Sequence, residues 1–439
     1  MFGIVPGTGD EKAMKGGMGL ERKLALLMSL AGDDRETGLG RPSSRPPRLR
    51  HANEVGALRP LNIRQVRRGG GMRVPLLRIL MTNACTFNCH YCPMRRDRAM
   101  PRTLLHPEEL VRIFLDARRR GWCDGLFVTT GIPGRPVQVM DDLIRALELL
   151  RERHRFGGYI HVKIVPGAEP AQVERITALA SRVSVNLEAA CGEHLTRIAP
   201  EKNLSTALAT LEQARAVVVR EREEESYGRP RDALHPGGTA GITTQFVVGA
   251  TPDTDRTVIG KVAELYSGGG VHHAHFSAFR PIRDTPMENA PAAPELRERR
   301  LYQADYLLRS YDFSPDEVVY EENGNLPLER DPKIAWALSH PERFPVEVRT
   351  ASRAELVRVP GIGPVTARRI VAERRTTAFR GLADLRRIGV ITTRAAGFLM
   401  LGGRRLQTVR WAEQLGFWDA EDGVGRHQLV YDVSPGTFR

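Results

Sequence analysis

The stretch VPLLRILMTNACTFNCHYC, residues 74–92, decides how the rest of the chain is read. Val74–Met81 is an apolar run of strand length, closed by the polar pair Thr82-Asn83. Cys85, Cys89 and Cys92 follow at once, on what must be a loop. Outward from this point the pattern repeats. Pro107–Arg120 places Leu110, Ile113, Phe114 and Ala117 on one helical face. Asp124–Thr130 reads as a strand, and Val137–His154 as a helix with Val139, Leu143, Leu147 and Leu150 in a stripe. Tyr159–Val165, Arg182–Leu187, Thr243–Gly249 and Val271–Phe279 read as further strands. Helices are expected after them over Pro170–Ala180, within Asn203–Arg222, over Asp255–Tyr266 and over Pro294–Tyr311. Six strand–helix units in a row mean an α/β fold with parallel strands and helices outside, a partial (β/α)6 barrel. In such barrels chemistry sits on loops at the C-terminal strand ends, which is where the cysteines fall.

The spacing of those cysteines is C-x3-C-x2-C. Thiolates are soft ligands that suit iron–sulfur clusters or zinc. A [4Fe–4S] cube usually takes four cysteines, so three leave one iron open to another ligand. Zinc would need a fourth ligand, for which His90 is at hand in a cramped loop. The spacing and the strand–loop–helix setting favour the cluster over zinc or three buried thiols. Cys123 and Cys191 stand alone and read as buried thiols. An odd count of five cysteines argues against a disulfide framework.

With Tyr91 before the last cysteine, the motif resembles the radical S-adenosylmethionine (SAM) superfamily signature. The resemblance implies one [4Fe–4S] cluster on Cys85, Cys89 and Cys92, with SAM chelated to the open iron. It implies cleavage of SAM to methionine and a 5′-deoxyadenosyl radical, fed by an electron donor such as flavodoxin or ferredoxin. Thr129-Thr130-Gly131-Ile132 stands where the family carries a Gly-Gly-Glu segment that binds the SAM amino group; the Glu is missing here. Asn186 and Glu188 interrupt an apolar strand at its end, where relatives hold the SAM ribose and carboxylate. Gln245 and Arg280 are weaker candidates of the same kind. Lys163 lies within a strand, either paired with an acid or functional. His273 and His275 share a strand face, but packing or a substrate contact suits them better than a metal without a third ligand.

Charge points to a polyanionic partner. The net charge is +13, and residues 350–410 alone hold 13 Arg against three acids. Residues 41–73 hold nine Arg against one acid. Within the first basic segment, Ser352–Arg375 reads as helix, turn, helix, with a Ser352/Glu355 capping box and Pro364 in the first turn of the second helix. Val359-Pro-Gly-Ile-Gly-Pro-Val-Thr-Ala367 resembles the helix–hairpin–helix motif. Its glycines, Gly361 and Gly363, let the backbone approach a phosphate, and the helix start at Thr366 offers amide groups. Arg368 and Arg369, with Arg374 and Arg375, add salt-dependent attraction to duplex DNA. Residues 379–401 are read as a second copy, with Asp384–Gly389 as its turn.

The order of motifs over residues 75–402 resembles the bacterial DNA modification or repair radical SAM proteins linked to a uracil-DNA-glycosylase-like partner. The resemblance rests on Leu126–Ile132, Gly158–Pro166, Pro200-Glu-Lys-Asn203, Asp331-Pro-Lys-Ile-Ala-Trp-Ala-Leu338 and the hairpin, among others. It implies action on DNA and such a partner protein. The expected organisation is a basic arm over 1–74, the barrel over 75–344, an all-α hairpin module over 345–402 and a tail over 403–439. Glu21–Leu30 is read as one short helix in the arm. Two other readings stay open: an RNA-modifying radical SAM enzyme, and a redox-sensing Fe–S DNA-binding protein that does not cleave SAM. With no signal segment and no long apolar run, a cytoplasmic place is expected, near the nucleoid if DNA is the partner.

Overall fold

The structure is a computed structural model that describes residues 19–31, 63–68, 72–226, 241–268 and 270–407. Most of the basic arm and of the tail therefore lies outside the described residues. Contacts divide the chain into two compact units. One holds the described residues as far as Pro252 together with Leu265–Ala293; the other holds Asp253–Glu264 and the described residues from Pro294 on. No helix among the described residues is long and apolar enough to cross a membrane.

The first unit is built on a curled half-barrel. Its parallel strands are β2 (Met72–Leu80), β3 (Gly125–Thr129), β4 (Tyr159–Lys163), β5 (Arg182–Ser184), β6 (Gly241–Val248) and β7 (Val271–Ala278), in that spatial order. Between them run α2 (Pro107–Arg119), α3 (Pro136–Glu148), α4 (Pro170–Leu179), α5 (Gly192–Ile198) and α6 (Leu204–Ser226). The stripe read on the first of these is buried as expected: Leu110, Ile113, Phe114 and Ala117 are in the core. After α3 the chain widens into a single π-helical turn at Leu149–Arg153, where the buried Arg151 guanidinium donates to the carbonyls of Phe156, Gly158 and Leu179.

One feature was not legible. A strand β1 (Ile63–Arg68) pairs antiparallel with β2, giving a seventh strand inside what the composition marks as an arm. Its sequence, IRQVRR, is dominated by arginine and hides its alternation. The helix expected in the arm is present as α1 (Leu20–Ala31), with Leu24 and Leu27 buried and Lys23 bonded to Glu109 at 3.2 Å.

The second unit holds α8 (Glu295–Ser310), α9 (Pro332–Ser339), α10 (Arg353–Arg358), α11 (Pro364–Glu373), α12 (Leu382–Arg387) and α13 (Thr392–Ala395). The helix α7 (Asp255–Ser267) begins in this unit and ends in the first. One apolar core joins Trp336, Leu356, Ile362, Ile370, Leu385 and Phe398. The helical module also carries three short strands, β8 (Val346–Glu347), β9 (Leu399–Leu401) and β10 (Arg404–Arg405), too short to show a period in the sequence. The second hairpin does form, but its turn is Ile388–Ile391 and not Asp384–Gly389. Asp384 instead accepts the Arg380 amide at the start of α12, and Gly389 at φ 102° turns the chain out of that helix.

Candidate functional site

The cysteine loop leaves β2 and is held from both sides. On one side the segment after β3 backs it: Gly131 N–H donates to the Thr82 carbonyl at 2.7 Å, and Thr86 donates its amide and hydroxyl to the Ile132 carbonyl. A Cβ on Gly131 would lie 2.2 Å from the Ala84 carbonyl oxygen, so only glycine lets these two backbones meet. On the other side the α5–α6 connection receives it: His90 N–H donates to the Ile198 carbonyl, and Asn88 N–H to Glu201. The Arg102 guanidinium then closes the loop's far end on the carbonyls of Asn83, Met94, Arg95 and Arg98. Four carbonyls on one fixed fork make a rigid clasp.

All three loop cysteines are free thiols; Cys89 is buried, and Cys85 and Cys92 are half-buried. Burial pushes the Cys89 thiol up to about 11 and the Cys92 thiol up to about 12. Such thiols ionise only against a strong local cation, which the irons of a cluster would supply. No three of His, Cys, Asp and Glu among the described residues converge on a single ion. In a cube the thiolates need not converge on one metal.

Beside the loop, the strand ends carry a connected polar network. Lys202 Nζ lies 2.6 Å from Glu188 Oε1 and 3.4 Å from the Tyr91 hydroxyl. Asn186 Nδ2 bonds Glu188 at 3.3 Å and Gln245 Oε1 at 3.5 Å, and Lys163 bonds the same Gln245 oxygen at 3.2 Å. Burial lowers Lys202, but Glu188 and the neighbouring thiols outweigh it and hold the ammonium above its ordinary value. Burial, reinforced by Glu188, keeps the Tyr91 phenol protonated. Glu188 adopts φ 64°, a left-handed backbone that a side chain rarely takes, and its amide and carbonyl still bond Gln245 and Val247 of β6. The side chain of Asn186 keeps Oδ1 buried without a hydrogen-bond partner. An orphaned buried acceptor of this kind is a place for a ligand donor such as a ribose hydroxyl or an ammonium group.

The structure therefore brings Tyr91, Asn186, Glu188 and Gln245 together beside the cysteines. Thr129 and Gly131 serve the loop's backing: the Thr129 carbonyl accepts Met81 N–H, and the Thr130 hydroxyl is turned onto the Gly131 carbonyl. Arg280 is exposed after β7. Sequence reasoning missed Lys202, although Pro200–Asn203 was a recognised motif, because a lysine between two helices reads as surface.

The hairpin site is described on its own. Gly361 has φ 82°, and a Cβ there would meet the Ile391 carbonyl oxygen at 2.5 Å. The Ile391 amide donates to the Gly361 carbonyl at 3.0 Å, so the two hairpins are tied turn to turn. No side chain caps α11 at Gly363, which leaves its first amides open to an anion. Arg368 is exposed. The Thr366 hydroxyl donates to the Gly389 carbonyl, and Arg369, exposed like Arg368, donates one N–H to that of Ile388. Both contacts tie the second turn, and the Arg369 guanidinium keeps its other donors. The Asp331–Leu338 motif braces the first: Lys333 Nζ donates to the Ile362 carbonyl at 2.6 Å over the Tyr311 ring, and Asp331 both caps α9 and pairs with Arg394.

Residues 79–221 match the family model of the radical SAM superfamily, and residues 343–396 that of the helix–hairpin–helix motif. The chain thus carries a radical SAM domain and a hairpin module. Among solved structures it is similar to methylornithine synthase PylB (12% identity, TM-score 0.43, 53% of this chain and 61% of that one). It is similar to the FeFe-hydrogenase maturase HydG from Carboxydothermus hydrogenoformans (17%, 0.41, 53% and 51%). It is also similar to coproporphyrinogen III oxidase HemN from Escherichia coli, itself a radical SAM enzyme (14%, 0.34, 54% and 52%). The chain spans about half to three-fifths of the length of these proteins. No curated protein matches it.

Proposed function

We propose that this chain is a radical SAM enzyme that acts on a nucleotide in DNA, for repair or modification. The observation that carries the reading is the meeting of the three-cysteine loop with the Tyr91–Lys202–Glu188–Asn186–Gln245 network at the C-terminal strand ends. When bound, the cluster and SAM supply reductive cleavage of SAM to methionine and a 5′-deoxyadenosyl radical, with the electron from a flavodoxin- or ferredoxin-like donor.

The chain's own residues have distinct roles in this reading. Cys85, Cys89 and Cys92 hold the cluster, and the Arg102 clasp and the Gly131 backing fix the loop's shape. Asn186, through its open Oδ1, and Glu188 hold polar groups of SAM. Lys202 pairs with Glu188 and holds the Tyr91 hydroxyl in place. The hairpin module grips the duplex backbone through the amides of α11 and the exposed Arg368, without reading sequence. A uracil-DNA-glycosylase-like protein is the expected companion.

The test is anaerobic reconstitution, reduction in the presence of SAM, and measurement of 5′-deoxyadenosine by mass, with and without damaged duplex DNA or structured RNA. Production stimulated by DNA supports the reading. Stimulation by RNA alone moves the substrate to RNA. A reducible cluster that never cleaves SAM makes the chain a redox sensor instead.

A further inference from the structure

The inner face of the half-barrel carries a cationic group that meets the cofactor end only at Lys163. Which face is inner follows from contacts between strands that are not neighbours. Lys163 on β4 reaches Gln245 on β6 across the intervening β5, as only side chains on the concave side of a curled sheet can. Alternation from Lys163 puts His161 on the same face, and the register then adds Arg78 and Arg182 on the rung of His161. From β7 come His273 and His275, on the rungs of Thr243 and Gln245, with their rings 4.5 Å apart. Six basic or imidazole side chains thus line one surface, and strands β2–β7 contain no Asp or Glu at all.

Two of these groups are visibly incomplete. His275 is 7% exposed, and both of its ring nitrogens are buried without a hydrogen-bond partner. Arg182, half-buried, has its Nε buried without a partner and makes no ion pair among the described residues. Buried donors are nearly always satisfied in proteins. A water could satisfy an imidazole, but it would not offset the charge of the Arg182 guanidinium on the same face. His161, already beside Ser184 Oγ at 3.2 Å, and Arg78, stacked on Phe127, shape the floor of the same surface.

We propose that this face binds a phosphate group of a nucleotide, with Arg182, Lys163 and His275 as its principal ligands. Phosphate fits better than carboxylate, because a guanidinium, an ammonium and an imidazole match its greater charge and its larger set of acceptor oxygens. The site lies on the barrel side of the polar network, since Lys163 belongs to both through Gln245. A ligand anchored there by its phosphate would have its sugar and base directed toward the strand ends that carry the cysteine loop. The inference rests on the reading of the chain as an enzyme acting on a nucleotide and narrows it to a nucleotide held by its phosphate inside the half-barrel.

The experiment is calorimetric titration of the full reconstituted chain with inorganic phosphate, a deoxynucleoside 5′-monophosphate, the matching deoxynucleoside and a short single-stranded oligonucleotide. The monophosphate is expected to bind at least roughly tenfold more tightly than the nucleoside, the worth of one charge-assisted contact. Arg182→Gln is expected to remove most of that difference while duplex binding through the hairpin persists. In the unsubstituted protein, inorganic phosphate is expected to shift the carbon-13 ring signals of His275 and His161, a readout that does not depend on any variant folding. A preference for the oligonucleotide identifies a strand as the source of the phosphate, and a preference for the monophosphate a free nucleotide; either supports the site. Equal binding of nucleoside and monophosphate, or histidine signals that ignore phosphate, overturns it. SAM cleavage indifferent to DNA beside intact phosphate binding would remove the DNA reading and leave this site; the reverse pattern would remove the site alone.

Discussion

At the scale of the residue, the cofactor end depends on a few positions with no substitute. Gly131 is one, because its missing Cβ is the space occupied by the Ala84 carbonyl oxygen just before Cys85. Gly131→Ala must push the two backbones apart, at a cost of about 1–3 kcal/mol by analogy with overpacked cores. It should lower the melting temperature and the iron bound per chain together, measured by thermal unfolding and metal analysis; a full iron complement in the variant would refute the role. Lys202 is another. Its ammonium pairs with Glu188, which is only 3% exposed, so Lys202→Met leaves a buried carboxylate uncompensated. Losing one partner of a buried pair costs about 3 kcal/mol or more. The double variant Lys202→Met/Glu188→Gln should regain much of that stability yet still bind SAM weakly by calorimetry. Glycine and lysine are both plain letters in the sequence. Gly131 was marked because it sits at a strand end, but the reason it must be glycine lies in a contact 47 positions away, at Ala84.

At the scale of the element, α9 and the inner strands make separate predictions. Lys333 is nearly fully buried, and its amine donates to the hairpin carbonyl at Ile362. Lys333→Met should strand that carbonyl, destabilise the hairpin by about 1–3 kcal/mol and weaken duplex binding in a mobility-shift assay. On β4 and β7, burial above all, with nearby cationic side chains adding to it, holds His161 and His275 well below the usual 6.5. The sign follows directly. Below pH 6.5 the unfolded chain takes up protons that the folded one refuses, so stability falls as pH drops. Each such histidine contributes up to about 1.4 kcal/mol per pH unit. Denaturant melts at pH 7 and pH 5 should show a smaller acid loss in His275→Gln than in the parent; an unchanged difference would mean the ring protonates in place. The helices of the half-barrel were legible because each buries a stripe at helical spacing, as Leu110, Ile113 and Phe114 do on α2. The second hairpin's turn was displaced by several residues, because Asp384 reads equally as a turn residue and as a helix start.

At the scale of the whole molecule, charge and architecture divide the work. Residues 350–410, which hold the hairpins, carry 13 Arg against three acids, and on the proposed reading their grip on duplex DNA should weaken linearly with the logarithm of salt concentration. Arg368→Ala should reduce that slope by about one counterion, whereas Thr366→Ala should act mainly through hairpin stability. A salt slope insensitive to Arg368 would take that side chain off the phosphate backbone. The sequence by itself determined the half-barrel and the hairpin, because each is written in local signals: periods of burial and a glycine turn. It also marked Asn186 and Glu188 as polar interruptions at a strand end, and Gln245 as a weaker candidate on the next strand. Only the tertiary structure decided that Lys202 joins them, that Thr366 and Arg369 also tie the second hairpin, and that six basic or imidazole side chains from four strands share one face. The physical reason is the same in each case. These partners meet through sheet curvature and loop docking, and such contacts between distant segments leave no period or spacing in the chain itself.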